Sequence, residues 1–326
     1  MIITRTPLRI SFGGGGTDLP SYYERHGGFL VAAAITKYIY IGINRTFTDD
    51  FFIKYSALER AQSIDDVEHP IVRCALEMHG VKPGIEIVSL ADIPSGTGLG
   101  SSGAFSVGLL RAIYAEKREQ VTAAALAEEA CHIEIDMLER PVGKQDQFIA
   151  AFGGLACFEF APDGSVAISP LTISDKTLHD LEDHLLMFFT GYSREADRVL
   201  RDQKQRSDQG DEAMIDNLHD IKRIGFDTRD ALLAGDTARF AELMHEHWEL
   251  KRKRTEGISN PAIDDWYELA RANGAVGGKL VGAGAGGFLL LYAEDAPLLR
   301  KALADSGLRE VRFSFAHDGS SVILRD

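Results

Sequence analysis

The residues with most chemistry to offer form one short stretch, Pro94-Ser-Gly-Thr-Gly-Leu-Gly-Ser-Ser-Gly103, which runs into an apolar helical pattern over 101–115. Gly96, Gly98 and Gly100 leave backbone N–H groups uncovered where that helix begins, and the positive end of its dipole points the same way. Such a loop is a phosphate site built from backbone. Ser101 and Ser102 add hydroxyls that can donate to a phosphate or ligate Mg²⁺, and either can instead cap the helix.

Two carboxylates stand out beyond the loop. Glu134 lies in a helical pattern over 122–140, and its neighbours three, four and seven positions away (Cys131, Met137, Ala130, Leu138, Ala127) are all apolar. At helical spacing the other ionisable groups of that stretch lie at least about 120° away, so Glu134 is predicted to be buried. A buried carboxylate needs a partner: an arginine, a metal or a catalytic role. The pattern stops at Pro141, and Pro141-Val-Gly-Lys-Gln-Asp-Gln147 then carries the second carboxylate, Asp146. Near the start of the chain, residues 2–12 alternate as a strand with Leu8, Ile10 and Phe12 on one face and Arg9 on the other. Gly13 to Gly16 and Thr17-Asp18 follow, and glycine-rich chain directly off a strand marks close approach of backbone to a ligand.

Two strings match the dinucleotide pattern G-x-G-x-x-G, at 98–103 and 282–287. Each fails on context, because that turn needs a strand immediately before it and a helix after it. The first is separated from the strand predicted over 85–90, and the second is followed by a strand. A nicotinamide-dependent oxidoreductase is therefore the weaker alternative. A Walker loop is absent. Hydroxyls on a phosphate loop, a buried carboxylate as hard ligand and a second carboxylate as base make up the parts of a phosphoryl-transfer enzyme.

The elements that must position these groups are mixed. Strands are expected over 29–34, 38–44, 85–90, 155–160, 166–171 and 185–190. Helices follow over 194–205, 214–233, 237–254 and 261–273, then a strand over 288–292, a helix over 296–306, and strands near 311–316 and 321–324. This is an α+β pattern, read as two domains over 1–178 and 179–326. A formal net charge of −14 argues against nucleic acid or an anionic membrane as an electrostatic partner. Cys74, Cys131 and Cys157 lack metal spacing, and no signal peptide or membrane-length apolar run is present, so a cytoplasmic protein is expected.

Three stretches in order resemble the motifs of the GHMP kinases: Thr6-Pro-Leu-Arg-Ile-Ser-Phe-Gly-Gly-Gly-Gly-Thr-Asp18, Pro94–Ala104 and Gly278-Lys-Leu-Val-Gly-Ala-Gly-Ala-Gly-Gly287. In the first, the family's Gly-Glu-His is replaced by glycines. Glu134 and Pro141–Gln147 resemble the galactokinase pattern. The resemblance spans nearly the whole chain. It implies an N-terminal domain like ribosomal protein S5 domain 2, a ferredoxin-like C-terminal domain, ATP as donor and Mg²⁺ as cofactor. It also implies Asp146 as general base and Arg9 as its partner and stabiliser of phosphoryl charge. Mg²⁺ would be held by Ser102 and Glu134. Pro94, Gly96, Gly98, Gly100, Ser101, Ser102 and Gly103 would bind ATP, and Gly15, Thr17, Asp18 and Gly284 would bind the acceptor. Within the family, Gly13–Pro20, Thr36–Tyr40 and His247–Lys251 are similar to heptose 7-phosphate kinases, which implies phosphorylation of the anomeric hydroxyl of a sugar phosphate. Lys251 and Arg252, in the cluster Lys251-Arg-Lys-Arg254, are the candidates for the acceptor's phosphate, with a solvated helix end as the alternative. A free hexose such as galactose or fucose is the alternative acceptor, and a homodimer is left open.

Overall fold

The computed structural model describes residues 1–191 and 196–326. The first sheet is organised on one long strand, Gly28–Arg45, which merges the two β segments expected over 29–34 and 38–44. The strand Ile2–Gly13 pairs antiparallel along its length. The early half of Gly28–Arg45 also pairs with Leu155–Phe160 and its later half with Ile85–Ala91. Phe51–Lys54 and Leu58–Ala61 extend one side. The final strand, Ser321–Arg325, returns to pair with Ile2–Gly13, so residues from both sides of the 178/179 division share this sheet. The second sheet has the order Arg309–Glu310, Leu185–Gly191, Gly287–Ala293, Ala275–Leu280.

Period-two alternation makes the second sheet a middle layer. Leu185, Met187, Phe288 and Leu290 join the large core of the first sheet, while Leu186, Phe188, Leu289 and Leu291 face Trp248, Ile263, Tyr267 and Leu299. The loop helix, Ser101–Lys117, lies on the first sheet, where Thr4 donates to the Gly108 carbonyl at 3.0 Å. Helices Glu212–Ala234 and Thr237–Arg254 form an antiparallel pair. The break between them is written locally: Gly235 takes φ 72° and Asp236 accepts from the Arg239 amide.

Some local readings need correction. The stretch over 122–140 is a helix only to Cys131; His132–Met137 continues as a π turn. Residues 311–316 form no strand beyond an isolated Ile35–Phe315 bridge. The helix expected from Arg194 has its first two positions outside the described residues and runs over Ala196–Asp208. Helices Pro20–His26, Pro70–Met78, Gln145–Phe152 and Asp175–His184 were not anticipated.

Candidate functional site

The first strand, the glycine loop and the helix after Pro141 converge on one point. Arg9 is buried, and its Nε and Nη2 reach Oδ1 of Asp146 at 2.7 and 2.6 Å. Both contacts fall on one oxygen, so Arg9 orients the carboxylate without engaging Oδ2. Arg9 Nη1 also donates to the Gly98 carbonyl at 2.6 Å, which ties the pair to the loop. Lys144 turns away to the Gly164 carbonyl. The loop itself is clamped by the third glycine motif. A Cβ on Gly98 (φ 80°) would fall 2.4 Å from the Val281 carbonyl oxygen, and one on Gly282 would fall 2.5 Å from the Gly98 Cα. Only glycine permits this approach of backbone to backbone.

Glu134 is buried, as its apolar neighbours require. Its Oε1 accepts from Ser106 (3.0 Å) and Gln147 (2.9 Å); its Oε2 accepts from Ser102 and from Arg140 Nη1, the latter at 2.7 Å. Burial pushes the carboxyl upward, opposed by Ser102, Arg140 and the other donors. Asp146 and Gln147, adjacent in sequence, thus serve the two carboxylate centres separately. Neither serine caps the loop helix: the cap is Gly100 in the left-handed region, with no side-chain bond.

Two cavities meet at the loop. One, of about 210 Å³, holds Arg9, Gly15, Asp18 and Asp146. The other, of about 720 Å³, is walled by Ile39, Tyr55, His69, Ile93, Pro94 and Phe105. Gly96, Ser101, Ser102 and Arg140 border both. Asp18 accepts from the amides of Gly16 (3.1 Å) and Gln145 (3.2 Å) and from the Gln145 side chain. Burial raises its carboxyl, and the nearby Asp146 adds to the rise. Its seat explains Gly143, where a Cβ would fall 1.9 Å from Asp18 Oδ2.

The floor of the smaller cavity is cationic. Lys251, Arg254, Lys279 and His247 line it, each buried. Lys251 donates to the Leu280 and Gly282 carbonyls, and Lys279 to the Phe12 carbonyl and towards His247 Nδ1. Arg254 Nε and Nη1 and His247 Nε2 are buried without a hydrogen-bond partner. Desolvation lowers all four, and the neighbouring cations lower the lysines and the histidine further; Arg254 comes down to about 10, with Asp18 the opposing charge.

Several expected site residues lie elsewhere. Arg252 pairs with Glu249 (2.9 Å) and Asp264 (3.5 Å), off the cavity. The signal that separates it from Arg254 is helical spacing: His247, Lys251 and Arg254 stand at i, i+4 and i+7 on one face. Thr17 is wholly buried and builds the turn, bonding the Gly14 and Phe29 carbonyls. Gly284 packs against Ile258 and does not line the cavity. Gly103 lets the Asp146 segment approach the loop helix, a Cβ there meeting Asp146 Cβ at 2.7 Å. Arg140, Gln145, Gln147, Lys279 and, apart from Pro94, the wall of the larger cavity were not anticipated as site residues.

The sequence profile of the GHMP kinases N terminal domain matches residues 69–154, and that of GHMP kinases C terminal matches 228–308. The chain is 30% identical over 98% of its length to D-glycero-alpha-D-manno-heptose 7-phosphate kinase of Campylobacter jejuni, covering 97% of that protein. The chain belongs to the GHMP kinase family. Among solved GHMP kinase structures, a D-glycero-D-manno-heptose 1-phosphate kinase from Bacteroides thetaiotaomicron superposes with TM-score 0.81 at 26% identity, covering 100% of both chains. Lactococcus lactis galactokinase complexed with galactose shares the fold, with TM-score 0.78 at 17% identity over 98% of this chain and 94% of that one. The protein is thus an ATP-dependent phosphotransferase acting on a sugar hydroxyl, in a two-domain α+β GHMP architecture. Among the described residues, no helix is long and apolar enough to cross a membrane.

Proposed function

We propose that this GHMP kinase transfers the γ-phosphoryl group of ATP to the anomeric hydroxyl of D-glycero-D-manno-heptose 7-phosphate, giving the 1,7-bisphosphate for nucleotide-activated heptose synthesis. The observation that carries the acceptor assignment is the floor of His247, Lys251, Arg254 and Lys279. Mutually repelling cations, buried with unsatisfied N–H groups, lower stability unless an anion completes them. A neutral hexose supplies no such anion; a sugar phosphate does. The names of the two relatives both carry a heptose phosphate, and the 7-phosphate in the name of the Campylobacter jejuni protein supports this choice of position.

In this reading Asp146 removes the proton of the acceptor hydroxyl, and Arg9 aims its carboxylate while facing the transferring group. Asp18 and Gln145 hold sugar hydroxyls. Amides of the loop over 96–102 hold the donor phosphates. The larger cavity, with apolar walls and the rings of Tyr55 and His69, takes the adenine. Mg²⁺ fits beside Ser102 and Glu134, two hard oxygen donors in contact whose present partner, the Arg140 guanidinium, shows that the spot accepts positive charge. When bound, Mg²⁺ would neutralise charge on the donor phosphates.

Measuring ADP release over a panel of sugars and sugar phosphates tests the proposal. Turnover with heptose 7-phosphate well above that with free heptose, galactose or fucose is expected. Turnover with a free hexose and none with heptose 7-phosphate would overturn the acceptor assignment.

A further inference from the structure

Arg140 occupies the border between the two cavities, and one of its nitrogens, Nη1, bridges Ser102 Oγ (2.6 Å) and Glu134 Oε2 (2.7 Å). We propose that Arg140 is a stand-in cation for the metal position. In the nucleotide-free enzyme its guanidinium neutralises Glu134 and holds Ser102, and it yields that place to the divalent cation that arrives with nucleotide. The inference rests on the assignment of Ser102 and Glu134 to Mg²⁺.

The two oxygens of Glu134 are treated differently. Oε1 is fixed by neutral donors from Ser106 and Gln147, on the loop helix and the helix after Pro141. Oε2 carries the contacts that a cation replaces. The carboxylate itself is fixed, with 1% of its side chain exposed, whereas the Arg140 side chain is 32% exposed and has open volume on both sides. The backbone also delivers this arrangement at a cost. The helix carrying Glu134 loosens to a π turn, Glu139 adopts φ 50°, and the Arg140 amide bonds the Glu134 carbonyl at 3.0 Å. A non-glycine residue in the left-handed region is retained where the surroundings over-determine it. Here it turns the arginine back over its own carboxylate. An empty site would otherwise leave a buried, unpaired negative charge, which is strongly unfavourable. The guanidinium fills that place, so the metal alone binds poorly and enters with the nucleotide. Once displaced, the guanidinium remains at the boundary where the phosphates lie.

Mn²⁺ titration of the nucleotide-free enzyme, followed by electron paramagnetic resonance, tests this. Arg140→Gln is expected to bind Mn²⁺ at least about tenfold more tightly than wild type, because the buried carboxylate has lost its cation. The gain is expected to vanish in Arg140→Gln/Glu134→Gln, and Mn²⁺ is expected to raise the melting temperature of Arg140→Gln but not of wild type. If Arg140→Gln folds poorly, Arg140→Lys is read instead, with a smaller gain of the same sign. Unchanged Mn²⁺ affinity in both variants, while Glu134→Gln still weakens Mn·ADP binding, would leave Arg140 a structural partner only and overturn the inference. Unchanged Mn·ADP affinity in Glu134→Gln would instead remove the metal assignment beneath it.

Discussion

In the proposed assignment, the two walls of the cleft hold phosphate by opposite means. The donor wall is a contiguous loop in which backbone amides and a helix N-terminus present partial charges to the ligand. It carries no lysine or arginine between Pro94 and Gly103, and it is kept in place by backbone contacts with Val281 and Gly282. The acceptor floor uses basic side chains from distant parts of the chain: Lys251 and Arg254, with the His247 imidazole, from one helix, and Lys279 from a strand of the second sheet. Partial charges fixed in a backbone are compatible with an empty site. Lys251, Arg254 and Lys279 buried together around His247 are not: burial lowers the proton affinity of each, and the neighbouring cations lower the two lysines and the histidine further. Under the proposed assignment, the loop would accept any nucleoside triphosphate geometry that fits, while the floor would select the acceptor and cost stability until it is filled.

The sharpest way to break this division is at the point where the walls meet. Asp146→Asn should keep ATP affinity and lower kcat by a factor on the order of 10² or more, the effect of losing a general base; unchanged turnover would take Asp146 out of the chemistry. Next in size, Arg254→Met should raise KM for the sugar phosphate by about 10- to 100-fold through loss of a charge-assisted bond, leaving KM for ATP nearly unchanged. Equal changes in both constants would mean that the floor is not an acceptor site. Lys279→Met should weaken acceptor binding yet stabilise the ligand-free protein by about 1–2 kcal/mol in chemical denaturation, because it removes a buried cation from a repelling group. A destabilised variant would show that the Lys279 bonds to Phe12 and His247 outweigh the repulsion.

The smallest expected effect is on pH dependence. Lys251 and Lys279 have proton affinities well below their ordinary value of 10.5 in the folded protein. The unfolded chain therefore binds more protons below that value, and stability rises with pH. Thermal melts of the ligand-free protein between about pH 7 and 9 should show an upward slope that shrinks in Lys279→Met and in the presence of heptose 7-phosphate. A flat or falling profile in wild type would contradict the lowered proton affinities of Lys251 and Lys279.

Much of this was legible along the chain because local rules set it. The glycine spacing of 94–103, the apolar surroundings of Glu134, the alternation that turns Arg9 from its apolar neighbours and the Gly235-Asp236 break each depend on residues a few positions apart. The family resemblance then named the chemistry. Less legible were features in which a competing interaction wins. Thr17 reads as a ligand by its neighbour Asp18, yet its hydroxyl is spent on the Gly14 and Phe29 carbonyls. Arg252 reads as part of a basic cluster, but successive helical residues diverge by about 100°, which sends it to Glu249 and Asp264 and leaves Arg254 facing the floor. The π turn after Cys131, beyond which Arg140 returns to Glu134, carries no composition signal.

The sequence by itself determined that this chain is a two-domain α+β GHMP kinase with a backbone phosphate loop. Periodicity and glycine placement are local, and the family motifs are contiguous strings. The resemblance already paired Asp146 with Arg9, but only the tertiary structure gave Glu134 its arginine, Arg140. It alone gathered His247, Lys251, Arg254 and Lys279 around one cavity. Charge and burial at a site are sums over groups far apart in the chain, and no single stretch contains them.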